Sequence, residues 1–139
     1  MPTVSKKGQF MPASPIRKLV PFADEAKQRG IHVYHLNIGQ PDIETTHYAL
    51  DAVKHFDEKV IKYSNSAGNL SYRKKICEYY AKIGIKVTPD EIIVTNGASE
   101  ALQIVFMSIM DREDEVIIPE PFYANYNGFA QTAEVRVKP

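Results

Sequence analysis

The segment from Glu91 to Ser99 limits the possible folds more than any other part of the sequence. Its first five residues, EIIVT, form a continuous run rich in β-branched side chains, which is too short for a buried helix and ends at Asn96-Gly97. From Ser99 onward the apolar residues recur at helical spacing instead. A strand that passes directly into a helix in this way is typical of α/β folds.

The residues that follow repeat the alternation. A second buried-type strand is predicted at Glu115–Ile118, a helix from about Tyr123 to Thr132, and a final strand of alternating polar and apolar residues at Glu134–Pro139. The order β-α-β-α-β predicts an α/β fold with helices laid on a mostly parallel sheet. Because the sequence stops directly after that strand, we expect it to be the front part of a larger protein.

The first two thirds of the sequence predict further helices. Ser14-Pro15 opens a helical turn that Pro21 interrupts, and Phe22–Arg29 forms a helix closed by Gly30. A short strand is predicted at His32–Asn37. Thr46 caps a helix with these apolar positions: Ala49, Val53, Phe56 and Val60.

Another amphipathic helix is predicted between the polar stretch Ser64–Asn69 and Gly84. Its apolar face consists of Tyr72, Ile76, Tyr79, Tyr80 and Ile83. Its polar face consists of Arg73, Lys74, Lys75 and Glu78.

Composition excludes several classes of protein. With 139 residues, we expect one domain whose core buries roughly two thirds of the unfolded surface. Seventeen basic and seventeen acidic residues give no net charge, so no overall field favours a nucleic acid or an anionic membrane. Cys77 is the only cysteine, so it forms neither an internal disulfide nor, by itself, a zinc site. No apolar run resembles a leader peptide or a membrane span. We therefore expect the protein to be in the cytoplasm.

Two strand ends carry candidate ligand sites, because ligands of open α/β sheets bind beyond the carboxyl ends of the strands. Asn96-Gly97-Ala98-Ser99 lies at a strand-to-helix junction, where unpaired helical N–H groups and the Ser99 hydroxyl suit a phosphate. The alternative is that Gly97 only makes a turn and Ser99 only caps the helix. The second end places Phe122, Tyr123 and Tyr126 behind two prolines, as a ring platform or as ordinary core residues. A phosphate cradle and a ring platform together describe a phosphorylated aromatic cofactor.

The sequence resembles the N-terminal part of class I/II pyridoxal-phosphate-dependent aminotransferases, the fold-type I family that includes aspartate aminotransferase. The order and spacing of several blocks carry the resemblance. They are Ser14–Arg17, Leu36–Asp42, Tyr63 with Gly68, Val87–Leu102, and Asp114–Tyr123. It implies the start of the large cofactor domain over residues 46–139, preceded by an N-terminal segment over residues 1–45.

The resemblance also implies roles for six residues. Gly97, Ala98 and Ser99 match the loop that binds the phosphate of pyridoxal 5'-phosphate, and Tyr123 matches the aromatic residue that stacks on its pyridine ring. Tyr63 matches a tyrosine that reaches the phosphate in the neighbouring site of a homodimer with shared active sites. Without the resemblance, the interpretation of Tyr63 is an ordinary buried tyrosine. Gly39 matches a loop against the substrate carboxylate, and otherwise reads as a turn.

The implied activity is transfer of an amino group from an amino acid to a 2-oxo acid. The family's Schiff-base lysine matches none of the twelve lysines, so no catalytic residue is assigned and the chain alone is expected to be inactive. The alternatives are a C–S lyase or other enzyme on the same fold, or a non-catalytic module that binds phosphate or a partner subunit. No metal site is expected, because His32 and His35 point to opposite faces of the predicted strand, and Cys77 has no partner histidine that would make it a nucleophile.

Overall fold

A computed structural model of the chain describes residues 2–139 and divides into two compact units. The first unit combines the described residues up to Gly39 with Asn96–Pro139, and the second consists of Gln40–Thr95.

The core of the first unit lies between two helices and two strands. Helix α5 (Gly97–Ile109) packs on helix α6 (Tyr126–Ala133), and α6 connects strand β1 (Glu115–Ile117) to strand β2 (Arg136–Lys138). The strands pair in parallel with Val116 opposite Val137, as the βαβ pattern predicts. Phe106, Ala130 and Val135 are buried at the centre of this core.

The N-terminal part of the first unit is helical. Helix α1 (Lys6–Gln9) is followed by a 3-10 turn at Arg17–Leu19 that leads directly into helix α2 (Val20–Gln28). The expectation that Pro21 interrupts the helix is wrong, because Pro21 occupies the first turn of α2, where a missing N–H costs no hydrogen bond. Gly30 follows α2 with φ +77°, the left-handed conformation expected for a residue that closes a helix.

The second unit contains helix α3 (His47–Lys54), helix α4 (Leu70–Ala81) and a 3-10 turn at Pro89–Glu91. Helix α3 ends six residues before Val60, where the apolar spacing predicts that it continues. Phe56 and Val60 are 58% and 62% exposed, so their side chains make little packing contact that would stabilise a longer helix. In the 3-10 turn, the Glu91 carboxylate accepts hydrogen bonds from the Thr88 backbone N–H and hydroxyl, both at 2.8 Å.

Two predicted strands are absent from residues 2–139. Residues 92–95 follow the 3-10 turn without secondary structure, although Ile92 has extended backbone angles, because no described segment forms a ladder with them. Residues 32–37 also form no ladder, and a bond from the Leu36 N–H to the Tyr34 carbonyl folds them into a tight turn. A strand requires a partner, and the sequence pattern does not supply one.

Helix α4 does not divide into the predicted faces. Arg73, expected on the polar face, is only 7% exposed, whereas Tyr72, Tyr79 and Ile83, expected on the apolar face, are 55–64% exposed. Arg73 is buried because it finds hydrogen-bond acceptors inside the second unit, described below.

The chain buries less surface than its length predicts. Its accessible surface is 12329 Å², whereas a folded monomer of this mass keeps about 7,300 Å². The expectation that a single core buries two thirds of the unfolded surface is therefore wrong. No helix within residues 2–139 is long and apolar enough to cross a membrane.

Candidate functional site

The start of helix α5 forms the first half of the candidate site. Gly97 is the first helical residue and has φ +75°, a conformation that glycine adopts without strain. Open space surrounds the position that a Cβ atom would occupy there. Ala98 and Ser99 follow in the first turn and are exposed, at positions where backbone N–H groups have no acceptor within the helix. This geometry suits an anion held by backbone amides and a hydroxyl.

Glu100 also takes part in this turn, although its role does not follow from the resemblance. Its carboxylate accepts a hydrogen bond of 2.5 Å from the backbone N–H of Asn96, while the Asn96 side chain makes no capping bond. The bond satisfies the backbone N–H of the N-cap residue, as the glutamate of a capping box does, although Glu100 lies one position further along the helix than that motif requires. The Asn96 side chain therefore leaves the amides of Ala98 and Ser99 uncapped.

The second half of the site is the aromatic cluster formed by Phe122, Tyr123 and Tyr126. It lies in the loop after β1 and at the first turn of α6, beyond the carboxyl end of the strand as predicted. The ring of Tyr123 meets that of Tyr126 edge to face at 5.6 Å, and Phe122 stacks on Tyr126 at 6.2 Å. Tyr123 remains 48% exposed, so part of its ring is available for a flat ligand.

Asn125 is a residue of this cluster that sequence reasoning missed. Its side-chain amide donates a hydrogen bond of 2.6 Å to the Tyr123 hydroxyl. Asn125 occupies the N-cap of α6 but makes no side-chain capping bond, and its Nδ2 atom is directed to Tyr123 instead. An Asn before a helix normally indicates a cap, which hides its role as a support for the tyrosine.

The structure places the two halves of the site at the N-terminal ends of two helices that pack on each other, α5 and α6, within the first unit. Across residues 2–139, no hydrogen bond or ring contact links Tyr123 to Ser99, so any common ligand must bridge them.

The remaining two predicted residues lie elsewhere. Gly39 ends the N-terminal part of the first unit, in a loop where nothing lies within 4 Å of a Cβ added to it. Tyr63 belongs to the second unit, in the irregular segment between α3 and α4. Its side chain is fully exposed at 106%, so the interpretation of Tyr63 as an ordinary buried tyrosine is wrong.

Comparison with known proteins gives consistent results. The family model described as aminotransferase class I and II matches residues 31–139. An aspartate aminotransferase of Pyrococcus horikoshii is 33% identical over 135 residues, covering 96% of this chain and 34% of the relative. A (5-formylfuran-3-yl)methyl phosphate transaminase of Methanocaldococcus jannaschii is 36% identical over 116 residues, covering 82% of this chain and 31% of the relative.

Solved structures agree with the sequence matches. The alanine aminotransferase of Pyrococcus furiosus superposes with a TM-score of 0.87 at 33% identity, covering 97% of this chain and 35% of that structure. The chain thus spans about a third of the length of the relatives it matches. With the family model matching most of its residues, the chain belongs to the class I and II aminotransferase family.

Proposed function

We propose that this chain supplies the N-terminal third of a pyridoxal-phosphate-dependent aminotransferase, which transfers an amino group from an amino acid to a 2-oxo acid. Class I and II aminotransferases are pyridoxal-phosphate enzymes, and the relatives reported above are named for different amino-group substrates. The observation that carries the proposal is the start of α5, where Gly97 turns the chain into a helix with two exposed residues, Ala98 and Ser99, in its first turn.

The phosphate of the cofactor fits this turn. Its negative charge is favoured at the positive end of the helix dipole, and the amides of Ala98 and Ser99 are donors that lack an acceptor within the helix. The Ser99 hydroxyl adds a further donor. Gly97 contributes the backbone conformation and the open space beside it.

The pyridine ring of the cofactor fits the exposed part of Tyr123. A ring that is 48% exposed and supported on its edge by Tyr126 provides a flat surface for stacking. The bond from Asn125 to its hydroxyl restricts rotation of the ring about its side-chain bonds. Tyr123 would therefore hold the plane of the cofactor while the α5 turn holds its phosphate.

Two further residues receive roles by their match to the family. Tyr63 would donate its hydroxyl to the phosphate bound by a second subunit, and its full exposure supports a role in contact with another molecule. Gly39 would place backbone against the substrate carboxylate, in a loop with no close neighbours around that residue. The Tyr63 assignment requires a homodimer with shared active sites, whereas the Gly39 assignment does not depend on a second subunit.

Bound pyridoxal phosphate supplies an electron sink for the charge left on the substrate Cα when it loses a proton. The residues of this chain bind and orient the cofactor. We assign none of them to proton transfer, and the lysine that performs it would lie outside residues 1–139.

We further propose an N-terminal segment over residues 1–45, a large domain that begins at residue 46, and a cytoplasmic location consistent with the single cysteine, Cys77.

Replacement of Ser99 by alanine tests the cofactor site. In the full-length protein, Ser99→Ala should weaken pyridoxal phosphate binding by about 1–2 kcal/mol, because it removes a hydrogen bond to a charged group. Titration of the apoprotein with the cofactor, followed by visible absorbance, measures the change. Ser108→Ala is the matched control, since Ser108 is exposed near the other end of the same helix. Equal affinities of the two variants would remove Ser99 from the site.

The reaction itself is tested by product analysis. An aminotransferase should require a 2-oxo acid and release no ammonia, whereas a C–S lyase should release ammonia and pyruvate from cystathionine without a second substrate. Ammonia release that does not depend on a 2-oxo acid would overturn the assignment as a transaminase while leaving the cofactor site intact.

A further inference from the structure

The side chain of Arg73 in helix α4 is buried within the second unit. It is 7% exposed and is the only polar or charged residue in the buried class among residues 2–139. Its Nε donates to the Gly68 carbonyl at 3.2 Å, and its Nη1 donates to the Pro89 carbonyl at 2.5 Å. A buried charge is tolerated only when it is hydrogen-bonded, so these two carbonyls account for the position of Arg73.

An ion pair does not explain the burial equally well. The Arg73 Nη1 atom lies 3.8 Å from the Asp90 carboxylate, but that side chain is 97% exposed. Ion pairs with an exposed partner contribute little, because water and salt screen them. Arg73 therefore acts mainly through directed bonds to two separate stretches of backbone.

These two stretches also approach each other directly. The Val94 N–H donates to the Ala67 carbonyl at 3.0 Å. A Cβ atom added to Gly68 would lie 2.6 Å from the side chain of Val94, so only glycine allows the approach. We call this arrangement of Arg73, the turn at residues 65–68 and the segment at residues 89–94 the Arg73 clamp.

The turn within the clamp is closed on itself. The Asn65 side chain accepts from the Ala67 N–H at 2.9 Å, and the Asn65 carbonyl accepts from the Gly68 N–H at 2.8 Å. Tyr63 lies two residues before this turn, in a segment without helix or strand. The clamp therefore contains the hydrogen-bonded backbone nearest to Tyr63, whose exposed side chain extends from the segment just before it.

We infer that Arg73 is a positioning residue for Tyr63: by tying the turn at residues 65–68 to residues 89–94, it sets where the Tyr63 hydroxyl reaches. The inference rests on the proposed function, in which that hydroxyl meets a cofactor phosphate. An arginine is required because its planar fork donates in two fixed directions, whereas a lysine has a single flexible nitrogen.

A double-mutant cycle on the full-length protein tests this role. Tyr63→Phe should weaken pyridoxal phosphate binding about 10-fold, the scale for losing a hydrogen bond to a charged group. Arg73→Lys should weaken it by no more than that, because it acts through Tyr63. In the Tyr63→Phe background, Arg73→Lys should change the affinity less than about 2-fold, since residues that act as a unit are not additive. Arg112→Lys, an exposed substitution, should leave binding unchanged.

Hydrogen exchange in the apoprotein tests the clamp without the cofactor. Arg73→Lys should accelerate exchange of the Val94 and Gly68 amides, both of which donate within the clamp, and leave the Phe106 amide in the first unit unchanged. If Arg73→Ala folds, millimolar guanidinium should restore both the protection and the cofactor affinity. Arg73→Lys carries the test if Arg73→Ala does not fold.

Three outcomes would overturn the inference. An equal loss of affinity from Arg73→Lys in both backgrounds would give Arg73 a general stabilising role instead. An unchanged affinity of Tyr63→Phe, alongside a weakened Ser99→Ala, would remove Tyr63 and its support from a cofactor site that remains valid. A protein that does not bind pyridoxal phosphate at all would overturn the proposed function, and this inference with it.

Discussion

The core of the first unit and the Arg73 clamp of the second are stabilised by different forces. In the first, Phe106, Ala130 and Val135 bury apolar surface between α5, α6 and β2. In the second, the one buried residue is the charged Arg73, which donates hydrogen bonds to backbone carbonyls. The free energy of apolar burial depends little on the relative orientation of the groups, whereas a hydrogen bond requires a particular distance and angle. The first region therefore supplies stability, and the second fixes the position of the backbone.

The largest expected effect is on the apolar core. Phe106→Ala should lower the free energy of unfolding by about 3–5 kcal/mol, because it removes a buried ring and leaves a cavity. Met107→Ala is the matched control, since Met107 is the next residue of α5 and is 68% exposed. Urea-induced unfolding of the full-length protein measures both. Similar losses from the two variants would show that this core does not stabilise the protein.

The next largest effect is the cost of replacing Gly68 in the clamp. Comparing it with the cost at Gly30 separates backbone strain from the close approach of Gly68 to Val94. Gly68→Ala should cost more than about 1–2 kcal/mol, because its φ of +96° strains any other residue and the new Cβ atom meets Val94. Gly30→Ala should cost about 1 kcal/mol from strain alone, since its φ is +77° and its surroundings are open. The same urea unfolding measures the difference, which is the contribution of the approach. Equal costs would mean that Val94 moves aside freely.

The comparison also explains what the sequence could predict. Helix α5 and strands β1 and β2 follow from local spacing, and they form because they find one another within the first unit. The run at residues 92–95 has the same local signal, but apart from one bond from the Val94 N–H to the Ala67 carbonyl it pairs with no described strand and forms no ladder. Local patterns indicate a preference for strand conformation, whereas a strand forms only beside a neighbour, which often lies far along the sequence.

The candidate site divides in the same way. The exposed turn at Gly97–Ser99 was predictable because a glycine that opens a helical pattern is a local signal, although the strand predicted before it does not form. The ring of Tyr123 was predictable because it follows the end of strand β1. Asn125 was not, because an Asn at a helix start normally indicates a cap. The helical spacing predicts Arg73 on the polar face, because spacing within one helix contains no information about the carbonyls of Gly68 and Pro89. Pairings between distant segments are the part that spacing alone does not contain.

The smallest expected effect is acid sensitivity of the clamp, which the apolar core should lack. The backbone N–H of Thr88, and then its hydroxyl, lower the pKa of Glu91 below its ordinary value of 4.5. A lowered pKa means that this carboxylate stabilises the folded state above about pH 4.5, and that the contribution disappears as the pH falls through the folded-state value. Because Glu91 ends the turn that presents the Pro89 carbonyl to Arg73, protonation should first accelerate exchange of the Val94 amide.

Nuclear magnetic resonance titration of the Glu91 carboxyl, with hydrogen exchange of the Val94 and Phe106 amides at the same pH values, measures this effect. Thr88→Val should leave the pKa of Glu91 lowered, since it removes the hydroxyl donor and retains the backbone N–H, which is the larger cause. Glu91→Gln should abolish the acid step at Val94, because the amide does not titrate. If the Val94 and Phe106 amides instead lose protection together, the two regions open as one cooperative unit. The conclusion that the apolar core supplies stability while the clamp fixes the backbone would then be wrong.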